Sequence, residues 1–197
     1  MKSKTVFLDR DGVINEVVYN KEMGIVDSPS TVEQFKLLPD VGKAVNKLHK
    51  QGFKVIVISN QPGLAKDHYD IDVFEKMKEK MKTELEKNGA KTDAEYYCLH
   101  HPEAKIKKYK EICDCRKPKP GMIFKATKEH NIDLSKSWMI GDGINDLQAG
   151  KKAGCKTILI GRMKCDLCKI MEDEKVKPDF IAPNLFKASL IIEKEER

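Results

Sequence analysis

The stretch Thr5-Val6-Phe7-Leu8-Asp9-Arg10-Asp11-Gly12-Val13-Ile14-Asn15 decides how the rest of the chain is read. Four apolar or β-branched residues end in two aspartates one residue apart, and a glycine follows. Such a run predicts a buried strand that delivers carboxylates to its C-terminal end. Residues two apart on an extended chain point the same way, so Asp9 and Asp11 are expected to share one small space. Two carboxylates held together repel each other unless a cation lies between them. An acidic surface turn is the plainer reading, because Asp and Gly are common turn residues. An EF-hand loop is excluded, since the glycine comes too early and the later ligands do not follow.

Further strand-like runs recur at Lys54–Ser59, Glu95–Cys98, Ser137–Ile140, Lys156–Ile160 and Asp179–Ile181. Helical patterns separate most of them. Asp40 opens one, with Val41, Ala44, Val45 and Leu48 at helical spacing and Gly52 as its stop. A second runs from about Asp70 to Asn88, its stripe of Val73, Phe74, Met77, Met81 and Leu85 being core packing. Others are expected over Pro120–His130, Asp146–Ala153 and Asn184–Lys194. Strands alternating with helices predict an α/β fold: a Rossmann-like parallel sheet with helices on both faces. In such sheets ligands bind beyond the carboxyl ends of the strands. Asp9 and Asp11, then Ser59-Asn60-Gln61, then Gly141-Asp142-Gly143-Ile144-Asn145-Asp146 occupy that place. This convergence outweighs the acidic-turn reading.

The 197 residues, 40% hydrophobic, suit one domain over residues 1–197. No apolar run approaches the roughly 20 residues that span a bilayer, and Met1-Lys2-Ser3-Lys4 leads straight into the first strand. A cytoplasmic protein without membrane contact is expected, its six cysteines reduced or metal-bound. The formal charge of +6 is spread among charges of both signs, which slightly favours anionic ligands and does not argue for nucleic acid. The densest basic patch, Lys105–Lys110, reads first as a solvated loop and second as an attractor of an anionic substrate.

If the ligand is a phosphate monoester, an Asp9 carboxylate can attack phosphorus and form an aspartyl-phosphate. Two anions must then meet, which requires a hard divalent cation; Mg²⁺ fits, with Asp142 as a further ligand. Asp11 can protonate the leaving oxygen and later deprotonate water. Ser59 can donate a hydrogen bond to the phosphoryl group, and Lys117 is the candidate neutralising cation. Each has a duller counterpart: Ser59 as a strand-end cap, Asp142 as a turn residue, Lys117 and Arg116 as surface cations. Asp146 reads as a helix N-cap, alone or together with orienting the metal ligands.

Cys98-x-His100, twelve residues, then Cys113-x-Cys115 form a second constellation. Three thiolates and an imidazole are a tetrahedral Zn²⁺ set with no position left open for water, so the metal is structural and staples the loop at about 98–115. His101 is an alternative to His100. Unliganded thiols are the plainer reading. Cys165-x-x-Cys168 lacks a second half and reads as two plain thiols; His49, His68 and His130 read as surface residues.

Together the motifs resemble the haloacid dehalogenase superfamily of phosphohydrolases, through Asp9–Asn15, Ser59-Asn60-Gln61, Lys117 and Gly141–Asp146. "FLDRDGVIN", "SNQPG", "CLHHP" and "CDCRKPKPGM" resemble more narrowly the D-glycero-D-manno-heptose 1,7-bisphosphate 7-phosphatases and histidinol-phosphate phosphatases. That resemblance implies a haloacid dehalogenase-like fold without a large cap domain. It implies Asp9 as nucleophile and Asp11 as general acid/base. It also implies Mg²⁺ on Asp9, the Asp11 backbone carbonyl and Asp142, and Asn60 and Arg116 at the substrate. Gly143 and Pro62 depart from the pattern, standing where the heptose enzymes carry lysine and serine. The expectation is therefore a monomeric, Mg²⁺-dependent phosphatase of a small phosphorylated metabolite, most plausibly the heptose bisphosphate. Histidinol phosphate and a polynucleotide 3′-phosphate are the rival substrates. A zinc-stapled binding module without turnover is the rival class.

Overall fold

The computed structural model describes residues 2–20, 25–161 and 175–196. Cys165 and Cys168 lie outside them. In chain order the elements are β1 (Thr5–Leu8), β2 (Val18–Asn20), β3 (Ile25–Asp27), α1 (Val41–Lys50), β4 (Lys54–Asn60), α2 (Ile71–Lys87) and β5 (Ala94–Cys98). There follow α3 (Gly121–His130), β6 (Trp138–Gly141), α4 (Ile144–Ala153), β7 (Lys156–Ile160), β8 (Phe180–Ala182) and α5 (Leu185–Glu195). Six strands form one parallel sheet in the order β5-β4-β1-β6-β7-β8, and β2 pairs with β3 as a separate antiparallel piece. Apart from that piece, no insertion among the described residues builds a sheet of its own.

The sheet is covered on both faces, and strand alternation sorts the core. Val6, Leu8, Val55 and Val57 pack on one side with Leu48 of α1, Met81 of α2 and Ile192 of α5. Phe7, Ile56, Ile58 and Met139 pack on the other with Ile123 of α3 and Ala149 of α4. All of these side chains are fully enclosed. At about 25 cal/mol per Å² of apolar surface removed from water, each large one contributes roughly 1.5–3 kcal/mol.

Most helix ends follow the sequence signals. Asp70 accepts a hydrogen bond from Val73 N–H at 2.8 Å and so caps α2. Asp40 departs from its expected role. It sits at φ 62° without capping α1, and its carboxylate pairs with Lys43 at 2.7 Å instead. Helix α4 begins at Ile144, two residues before the expected start, because Asp146 lies inside the first turn and reaches back to Gly143 N–H at 3.1 Å.

The strand order positions everything that follows. From β1 the chain steps outward to β4 and β5, then returns to β6 on the other side of β1 and steps outward again. The carboxyl ends of β4, β1 and β6 are therefore neighbours at the point where the winding reverses, where α/β sheets open a ligand crevice. Registers Leu8↔Val57 and Leu8↔Ile140 set the three ends level.

Candidate active site

Asp9 is the first residue beyond β1, and its N–H still donates to Ile140 O at 2.9 Å. Its Oδ1 accepts from Arg10 N–H at 2.7 Å and from Lys117 Nζ at 2.9 Å. Lys117 is itself enclosed, 3% exposed. Besides Asp9 it forms an ion pair with Asp146 Oδ1 at 2.5 Å and donates to Ile58 O at 2.8 Å. Asp9, Asp142 and Asp146 present carboxylate oxygens within 4.8 Å of one another. Three carboxylates against one lysine leave an excess of negative charge. Burial, followed by repulsion from Asp146, raises Asp9 to about 7 despite Lys117. Asp142 rises to about 6 for the same two reasons in the same order. An all-oxygen donor set with uncompensated charge is what a hard cation such as Mg²⁺ takes.

Two glycines make this crowding sterically feasible. A Cβ on Gly12, at φ +78°, would lie 2.0 Å from Asp142 Oδ2. A Cβ on Gly141 would lie 2.2 Å from the Cβ of Asp146. The close approach of Asp142 to the first loop and of Asp146 to the end of β6 requires both positions to be bare.

Asp11 lies near enough for its charge to act on Asp9 and Asp142, but it is not one of the carboxylates that converge on a common point. The strand ends at Leu8 and the backbone turns, so the alternation stops before Asp11. Its carboxylate is clamped by Arg10 at 3.0 Å, by Asn15 Nδ2 at 2.9 Å and by Gln61 Nε2 at 2.6 Å. Gln61 also donates to Ser59 Oγ at 3.0 Å and accepts from the Tyr69 hydroxyl at 3.1 Å. Asn60 does not hang free in the crevice. It holds the Lys117 backbone through two bonds, Nδ2 to Lys117 O and Lys117 N–H to Oδ1, each at 3.0 Å. Arg116 donates to His100 O at 3.3 Å.

Sequence reasoning gave no role to Arg10, Gln61 or Tyr69. Arg10 and Gln61 are both fully enclosed polar residues. The usable signal was position, a charged and an amide residue next to strand-end candidates, where burial demands a partner. Nothing in the sequence marks Tyr69.

The loop after β5 gathers the second cluster. Cys115 Sγ lies 3.1 Å from both Cys98 Sγ and Cys113 Sγ, and 3.4 Å from His100 Nδ1. Cys98 and Cys113 are 3.5 Å apart. The far nitrogen of His100 faces Glu111 at 3.4 Å, the partner that fixes a ligating imidazole. His101 instead accepts from Glu103 N–H at 3.1 Å. Burial raises Cys98 and Cys115. Burial also works against Cys113, but hydrogen bonds led by those from Cys115 and His100 bring it down to about 7. A set of three sulfurs and one nitrogen at this spacing fits Zn²⁺.

The fold and the crevice define a hydrolase of the haloacid dehalogenase class. A family model described as "HAD-hyrolase-like" matches residues 114–188. The D-glycero-beta-D-manno-heptose-1,7-bisphosphate 7-phosphatase of Photorhabdus laumondii is 39% identical over 156 residues, 78% of this chain and 79% of that one. The enzyme of the same name from Pasteurella multocida is 37% identical over 183 residues, 92% of each chain. Among solved structures, the D,D-heptose 1,7-bisphosphate phosphatase of B. bronchiseptica, complexed with magnesium and phosphate, superposes with a TM-score of 0.79. It is 27% identical, with 98% of this chain and 99% of that chain covered. The chain belongs to the heptose bisphosphate phosphatase family of haloacid dehalogenase-like hydrolases.

Proposed function

We propose that this chain, a single phosphatase domain, releases phosphate from D-glycero-beta-D-manno-heptose 1,7-bisphosphate at position 7 through an aspartyl-phosphate on Asp9. One observation carries the reading: an enclosed Lys117 pairs with Asp9 and Asp146 beside Asp142. An attacking anion and a fixed cation for phosphoryl oxygens then stand side by side. The relatives' names supply the substrate.

Both hydrogen bonds to Asp9 engage Oδ1, which leaves Oδ2 to attack phosphorus. As the new O–P bond forms, the P–O bond to the sugar breaks and Asp11 gives its proton to the leaving oxygen. Asp11 then takes a proton from water, whose oxygen bonds to phosphorus as the bond to Asp9 breaks. The products are inorganic phosphate and a restored carboxylate. Ser59 donates to the phosphoryl group, and Lys117, held by Asn60 and Asp146, neutralises it. Arg116 contacts the substrate. Asp9, Asp142 and the Asp11 carbonyl would hold Mg²⁺, which when bound supplies charge neutralisation between nucleophile and phosphate. Cys98, His100, Cys113 and Cys115 would hold Zn²⁺ and so fix the loop that leads into Arg116 and Lys117.

Among the described residues, no helix is long and apolar enough to cross a membrane. A cytoplasmic, monomeric state belongs to the same proposal, and sedimentation at assay concentration tests the monomer. The decisive experiment measures phosphate release, with and without Mg²⁺, from the heptose bisphosphate, histidinol phosphate and a 3′-phosphorylated oligonucleotide. The expected result is Mg²⁺-dependent turnover with the highest kcat/KM on the bisphosphate. Asp9→Asn should lower turnover by about a thousandfold or more while the protein stays folded. Undiminished turnover in that variant refutes the mechanism, and preference for another compound refutes the substrate.

A further inference from the structure

The hydrogen bonds that reach Asp11 from β4 have a direction, and a residue outside the carboxylate cluster sets it. Gln61 is fully enclosed, and its backbone is fixed by donating to Cys98 O at 2.8 Å. Its side-chain nitrogen donates to Asp11 Oδ2 at 2.6 Å and to Ser59 Oγ at 3.0 Å. Its Oε1 accepts from the Tyr69 hydroxyl at 3.1 Å. Turned over by half a rotation, the same amide would aim an oxygen at the Asp11 carboxylate and its two hydrogens at Tyr69. The two orientations have nearly the same shape, so packing does not choose between them. The negative charge of Asp11 and the proton of Tyr69 do.

Tyr69 is held where it can supply that proton. Burial pushes its phenol up to about 12, so the hydrogen stays on the oxygen at neutral pH. Its ring is pressed against Gly63, where a Cβ would lie 2.2 Å from Cε1 of the ring. The turn that carries it is closed by Lys66 N–H to Pro62 O and by His68 N–H to Gly63 O, both at 2.9 Å. With the hydroxyl deleted, Oε1 would be a buried acceptor without this donor, and the native orientation of the amide would lose its advantage. The orientation matters to both neighbours. Asp11 Oδ2 is held by a donor and not repelled by an oxygen. Ser59, accepting from Gln61, keeps its own hydrogen to give to a phosphoryl oxygen.

We propose that Tyr69 is a positioning residue that acts through Gln61 to aim the Asp11 carboxyl at the leaving oxygen. The proposal rests on the phosphatase reading and adds to it the origin of the acid's aim. The test uses two esters that differ in their need for an acid: the heptose bisphosphate, whose sugar alkoxide must be protonated, and p-nitrophenyl phosphate, whose phenolate leaves without a proton. On both, kcat/KM reports the steps up to departure of the leaving group. It is measured with Mg²⁺ for the native protein, Tyr69→Phe, Gln61→Leu and the double variant. Tyr69→Phe is expected to lose about tenfold on the sugar ester and less than about twofold on the aryl ester. In the Gln61→Leu background the same change should cost nothing further, since two residues acting in one chain do not add. Equal losses on the two esters overturn the proposal, because a ring that merely packs does not sense the leaving group. A full tenfold loss on top of Gln61→Leu overturns it as well, and so does an unchanged Tyr69→Phe; the phosphatase reading survives all three. No phosphate release from either ester by the native protein overturns the phosphatase reading itself.

Discussion

The two clusters at the carboxyl edge of the sheet are built on opposite plans. The carboxylate cluster gathers Asp9, Lys117, Asp142 and Asp146 from three separate parts of the chain, and its members differ in charge. The sulfur cluster gathers Cys98, His100, Cys113 and Cys115 from one loop, and its members differ little. The first is organised before any metal arrives, because Lys117 already ties Asp9 to Asp146. Among the described residues the second is held together by weak thiol contacts and by Glu111 against His100, and its order is expected to depend on a soft cation. Hence the reactive centre should tolerate loss of its metal as a fold and fail as a catalyst. The loop should lose its order without its metal, and turnover should suffer only as a consequence of that.

The sharpest way to break that contrast is Lys117→Met. Among the described residues it removes the one cation paired with both Asp9 and Asp146, which is expected to cost about 3–5 kcal/mol and all measurable turnover. Chemical denaturation checks the first and phosphate release the second; a variant as stable as the native protein means the pair is not a fixed part of the fold. Next comes Cys113→Ser. It should lose the stoichiometric zinc and lower Tm, with turnover reduced because the loop carries Arg116 and Lys117. Metal analysis still finding one ion per chain would mean that loop has been misassigned. A smaller effect is expected from Gln61→Leu, which deletes the bridge between Asp11 and Ser59: kcat down about tenfold to a hundredfold, with Tm little changed. An unaltered kcat shows that Arg10 and Asn15 suffice to orient Asp11.

The mildest effect is one of pH. Asp9 titrates near 7 in the fold, against 3.8 when unfolded. Between those values the folded state binds more protons than the unfolded one, so this group's contribution to stability falls as pH rises through that window. Without added Mg²⁺, Tm should therefore decline between pH 5 and 7 by more than it does in Asp9→Asn. Added Mg²⁺ should raise Tm more at pH 7.5 than at pH 5, since it replaces the protons. Identical slopes in the two proteins would show that Asp9 carries no such penalty.

Both clusters were legible in the sequence to different depths. For the sulfur set, spacing picked out the three cysteines with either His100 or His101, and the fold turns His100 toward the sulfurs and His101 toward Glu103. For the carboxylate set, the strand-end argument found Asp9, Ser59 and Asp142, since a parallel sheet delivers strand ends to one edge. Its reason for Asp11 does not hold. Period-two alternation holds only while the chain is extended, and the chain turns directly after Leu8. It read Asp146 as a helix cap, alone or together with orienting the metal ligands; in the fold one oxygen caps α4 and the other grips Lys117.

The sequence by itself determined the alternating elements, the apolar faces and the residue types able to carry the chemistry. These follow from periodicity and from side-chain chemistry, which are local properties. Only the tertiary structure decided which charges meet. Lys117 finds Asp9 and Asp146, Arg10 turns to Asp11, and Gln61 joins Asp11 to Ser59. Such pairings depend on strand order and on loop paths that no local pattern encodes. Burial then makes each one matter, because an ion removed from water must find its partner wherever the fold has put it.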